Sequence, residues 1–112
     1  MEVLAKNLAD KIGIICINYY FLHKFDAVTE GEKLAGQIQQ FASAMIQGIS
    51  EGEQTEESRG LQDYILHVLN DYMEAVRQRD LVLMIDTLDF GLRELLDIFI
   101  TEENDGVDAK NE

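Results

Sequence analysis

A chain of 112 residues with 46% hydrophobic content has the size of one domain and enough apolar mass to bury a core without covalent staples. Its formal charge is -13, from 22 acidic and 9 basic residues. That field repels phosphate backbones and anionic lipid, so neither a nucleic acid nor a membrane surface is an expected partner.

Pro is absent, which suits long uninterrupted helices. The single Cys16 cannot form an internal disulfide, and a reducing, cytoplasmic location is the expected one. The start does not read as a signal peptide. Glu2 stands where a basic residue belongs, and His23-Lys24 follows the apolar run where small residues belong. The run from Ile12 to Leu22 is too short to span a bilayer, which takes about 20 residues.

The first predicted helix covers 3–25. Leu4, Leu8, Ile12, Ile15, Tyr19 and Leu22 recur on one face, with Lys6, Asp10 and Lys24 opposite. Cys16 sits in this apolar run without a nearby cation to lower its pKa, so it reads as a small buried hydrophobe rather than a nucleophile. Ile14, Ile17 and Phe21 form a second apolar stripe roughly opposite the first, with Tyr20 beside them. A bundle helix needs one such stripe, so the second is a candidate contact surface.

Thr29-Glu30-Gly31-Glu32 has the capping-box pattern and predicts a second helix running to about Ser50. Its stripe is Leu34, Ile38, Phe41, Met45 and Ile49. Ala35, Ala42, Ala44 and Gly48 are small enough to let a neighbour approach closely. Glu51 to Gly60 reads as an internal linker, with Thr55 or Ser58 available to cap the next helix. The third predicted helix carries Leu61, Ile65, Val68, Leu69, Tyr72 and Val76, and ends on Arg77 and Arg79, where cations suit the helix dipole.

The most regular window is Arg79 to Ile100. Leu81, Ile85, Leu88, Leu92, Leu95 and Phe99 alternate at spacings of four and three, and Asp80 stands where an N-cap belongs. With almost no loop between them, the third and fourth helices are expected to pack antiparallel. Leu83 and Phe90 are seven apart and point away from the main stripe, so both join Ile14, Ile17 and Phe21 as candidate partner contacts. The residues after Thr101 offer almost nothing to bury and are expected to be disordered.

No motif carries catalysis. A di-iron carboxylate bundle needs Glu-x-x-His, but Tyr20 precedes His23 and Tyr64 precedes His67 at that spacing. Asp63, His67 and Asp71, spaced at four and four, are the one set that would place three metal-binding groups on a single helix face; a solvated polar stripe explains them as well. Gly-rich phosphate loops, paired zinc ligands and calcium-loop spacing are lacking, so no cofactor and no enzymatic activity are expected.

The segment DYMEAVRQRDLVLMIDTLDFGLRELLDIF, from Asp71 to Phe99, resembles a stretch of small bacterial helical proteins of unknown function. The resemblance covers about a quarter of the chain. It implies a bacterial helical bundle and assigns no functional residue.

The expected architecture is all-α: an antiparallel up-and-down four-helix bundle over 1–101, followed by an acidic tail at 102–112. The expected function is a non-enzymatic cytoplasmic protein–protein interaction module, an adaptor or chaperone-like helper that binds a protein partner or a second copy of itself. Two alternatives compete with it. One is an acidic mimic of nucleic acid that blocks a basic protein; the other is a small metal- or ligand-binding bundle using Asp63, His67 and Asp71. Deleting Glu103–Glu112 is expected to leave the melting temperature unchanged, because Val107 and Ala109 are the only apolar side chains removed. A large fall would show that the tail docks on the bundle.

Overall fold

The structure, a computed structural model, describes residues 2–22 and 26–100. The described residues are mainly helical, with no strand among them. Among them five helices run in the order α1 (Glu2–Phe21), α2 (Ala27–Glu32), α3 (Ala35–Glu51), α4 (Glu56–Gln78) and α5, which opens at Leu81–Asp86. α5 continues through a π-helical turn, Thr87–Leu92, and resumes as α-helix over 93–100.

The second predicted helix is two. Asp26, not Thr29, is the N-cap: its Oδ1 accepts the Thr29 backbone N–H at 3.1 Å, and the Thr29 hydroxyl donates to Oδ2 at 2.6 Å. With its hydroxyl committed to Asp26, Thr29 does not cap. α2 ends in a tight turn in which the Leu34 N–H reaches the Gly31 carbonyl at 3.1 Å, and α3 departs in a new direction. The turn lets α2 pack on α1, α4 and α5 while α3 passes between α1 and α4.

The expected linker Glu51–Gly60 shrinks to 52–55, because helix extends into it from both sides. The Gln54 side chain donates to the Ile49 carbonyl at 3.0 Å at the end of α3. Thr55 and Ser58 then form a reciprocal capping box: Thr55 Oγ1 accepts the Ser58 N–H at 3.1 Å, and Ser58 Oγ accepts the Thr55 N–H at 2.9 Å.

α4 and α5 are separate helices. Arg79 breaks the chain in the left-handed region (φ 53°, ψ 45°), and Asp80 caps the new helix by accepting the Leu83 N–H at 3.0 Å. The two helices then run in opposite directions. Gly91 faces Val68, and the Tyr64 hydroxyl donates to Glu94 Oε2 at 2.8 Å. A Cβ on Gly91 would sit 3.2 Å from Val68 Cγ2, so glycine permits this close approach.

The core holds Leu8, Ile12, Ile38, Phe41, Ile65, Leu88 and Leu92 as expected, together with Met84, Leu96 and Thr87, which lie off the predicted stripes. Phe41 meets Phe99 edge to face, with ring centroids 5.7 Å apart. Two predicted core residues are exposed. Leu81, in the first turn of α5, is 40% exposed, and Leu22, one residue past the end of α1, is 54% exposed. His23, Lys24 and the acidic tail lie outside the described residues.

Leu88→Ala, at a fully buried site, is expected to cost about 2–5 kcal/mol. A denaturant titration reads this directly, and an unchanged midpoint would place Leu88 outside the core.

Candidate interaction surfaces

Besides Val3 near its start, α1 carries large apolar or aromatic side chains outward at four positions of its second half: Ile14 (60% exposed), Ile17 (59%), Tyr20 (59%) and Phe21 (78%). Neither 52–55 nor α5 covers them. On one flank, beside Ile14, lies a cleft of about 280 Å³ lined by Lys11, Ile14, Ile15, Glu30, Lys33 and Leu34. Lys11 Nζ donates to Gln37 Oε1 at 3.0 Å and Lys33 pairs with Glu30 at 2.8 Å, so both ammonium groups are held at its edge.

The other flank faces the π-helical turn. Burial pushes the Cys16 thiol up, and the Asp89 carboxylate pushes it further against an opposing effect from Arg93. Partial desolvation likewise raises the Tyr20 phenol, followed by Asp89. Arg93 Nε lies 3.2 Å from Asp89 Oδ1 as an ion pair outside hydrogen-bond alignment. Cys16 is therefore buried as expected, but a cation, Arg93, does stand near it, and burial and Asp89 outweigh its effect.

The remaining candidate contacts diverge. Phe90 is 65% exposed on the π-helical turn. Leu83, expected to point away, is half-buried and packs against the core. The underwound turn after the first six residues of α5 changes which side chains share a face, and heptad spacing across it does not hold.

A groove of about 450 Å³ between α3 and α4, not singled out from sequence, is lined by Ala35, Ile38, Gln39, Leu66, Leu69 and Met73, among others. Leu66 and Met73, seven apart on α4 and exposed, were its available signal. At its base Tyr72 is buried and donates its hydroxyl to the Gly31 carbonyl at 2.5 Å. Burial, with help from Glu32, pushes the Tyr72 phenol up to about 12.

Asp63, His67 and Asp71 are not assembled into a metal centre. His67 Nε2 pairs with Asp71 Oδ2 at 3.2 Å, and among the described residues no three His, Cys, Asp or Glu side chains are grouped to hold an ion. Among the described residues, no helix is long and apolar enough to cross a membrane. In comparisons with known proteins, the chain matches no family model, no curated protein and no solved structure.

Tyr72 generates a pH dependence. Its folded pKa of about 12 exceeds the ordinary 10.0, so its contribution to stability is complete below pH 10 and is lost as pH rises through 12. Tyr72→Phe is expected to cost about 0.5–1.5 kcal/mol at neutral pH, for the hydrogen bond, and to reduce the loss of stability above pH 10. Urea titrations of both proteins across that range check it; parallel pH profiles would show that Tyr72 ionises freely in the folded chain.

Proposed function

We propose that this chain is a non-enzymatic protein–protein interaction module, an adaptor or chaperone-like helper, that self-associates through the outer face of α1. Its architecture on this reading is an antiparallel up-and-down four-helix bundle of α1, α3, α4 and α5, with α2 inserted as a short extra helix. Its setting is the bacterial cytoplasm, as the resemblance of Asp71–Phe99 and the unpaired cysteine suggest.

The observation that carries the reading is the exposed row Ile14, Ile17 and Phe21 on a helix with no net charge. Glu2 and Asp10 balance Lys6 and Lys11 along α1, in a chain whose total charge is -13. Two copies therefore meet least mutual repulsion along this helix, while each apolar side chain withdrawn from water contributes roughly 1.5–3 kcal/mol before the entropy of association is subtracted. The commonest way to close such a row is a two-fold symmetric pair.

Sedimentation equilibrium tests it. The wild type is expected at twice the monomer mass of 12.7 kDa, and Ile17→Glu and Phe21→Glu as folded monomers with unchanged circular dichroism. A monomeric wild type at high micromolar concentration would overturn self-association.

A further inference from the structure

The row on α1 and the cleft beside it complement each other across a two-fold axis; this inference rests on the self-association reading above. Phe21 projects freely at one end of the row, and the cleft opens beside Ile14 at the other. Seven residues of helix rise separate the two positions by about 10 Å, with Ile17 near the midpoint. We infer that two copies pair antiparallel through α1, with the axis near Ile17, so that Phe21 of each copy seats in the partner's cleft between α1 and the α2–α3 turn.

The arrangement satisfies what an isologous contact requires, since the projection and the recess lie on opposite sides of one midpoint of the same surface. It also accounts for Leu22. At about 100° per residue, Leu22 lies on the same flank of α1 as Lys11 and Ile15, which is the cleft side. An antiparallel pair keeps that flank against the same flank of its partner, so Leu22 arrives over the cleft together with Phe21. The Lys11 and Lys33 ammonium groups at the cleft edge then stand within reach of the seated aromatic ring, whose face attracts cations.

Charge favours the same direction. Asp10 is exposed on the same outer face, one turn before Ile14, with Lys6 one turn earlier still. A parallel pair would stack Asp10 against Asp10 of the partner subunit, and Lys6 against Lys6 of the partner subunit, in the seam. An antiparallel pair centred on Ile17 sets the two carboxylates about 20 Å apart, beyond the screening length of roughly 10 Å in ordinary buffer.

Cross-linking of the full chain reads the pairing. In a Cys16→Ser background, Ile14→Cys and Phe21→Cys are oxidised separately and as a mixture, and the linked peptides are assigned by mass spectrometry. The mixture is expected to give the Ile14–Phe21 link, and each variant alone to give little dimer. Self-linking of either variant would mean a parallel pair and overturn the inference. Because Phe21→Cys removes the ring itself, a nitroxide on Asp10→Cys, with Phe21 intact, gives a second reading by pulsed electron resonance. A separation above about 15 Å supports the antiparallel pair and one below that refutes it. A wild type that sediments as a monomer overturns self-association and this pairing together; a dimer with the wrong link overturns only the pairing.

Discussion

The reversal at Arg79–Asp80 is the constraint on which the rest of the structure depends. A left-handed residue that is not glycine sits there at φ 53°, and the turn holds because its backbone groups are used: the Arg79 and Asp80 N–H groups reach back to Val76 and Ala75, and the Asp80 side chain caps α5. With so short a connection, α5 has nowhere to go but back along α4. The close approach of Gly91 to Val68 is one consequence, and the placement of Met84 beside Gly31, where a Cβ would come within 2.6 Å of the Met84 sulfur, is another. The Arg79 side chain ties the same corner to α2, through Asp26 at 3.0 Å and the Thr29 hydroxyl at 2.7 Å. These contacts are exposed and individually weak, but they converge where three helices meet.

Around that corner the chain distributes charge unevenly. α1 is neutral overall, and Glu51 is the only charged side chain of α3. The acidic excess lies elsewhere along the chain. For a protein of net charge -13, this leaves two helices that carry little of the net charge. One, α1, carries the outer row; the other, α3, borders the groove lined by Leu66, Leu69 and Met73.

The π-helical turn Thr87–Leu92 separates two ways of reading α5. An ideal helix would send Leu81, Ile85, Leu88, Leu92, Leu95 and Phe99 down one stripe. The wider turn rotates the last two turns of the helix, so Leu95 and Leu96 are both buried, and Thr87 is drawn inward with its hydroxyl unpartnered. Each departure from the expected stripe on this helix lies before or within one turn of that irregularity.

Local chemistry in the sequence settled much of the architecture. Periodicity identified the stripes of α1, α3, α4 and α5; Asp80 and Thr55 marked helix starts; the absence of Pro foretold long helices; and the apolar setting of Cys16 foretold its burial. The cap signals act within one turn and each stripe within one helix, so they depend little on how the helices pack. The Asp26 cap was local too, since Asp26 holds the Thr29 N–H and hydroxyl three residues on; the capping-box pattern at Thr29 drew the expected start one turn too late, and Arg79, some fifty residues away in sequence, adds a contact to the same carboxylate. Two matters depended on tertiary structure. Leu83 turned toward the core and Leu66 and Met73 toward solvent because the neighbours of α4 and α5, rather than their own spacing, decide which apolar residues find cover. The cleft beside Ile14 exists only where α1 meets the turn between α2 and α3, and no run of sequence contains both.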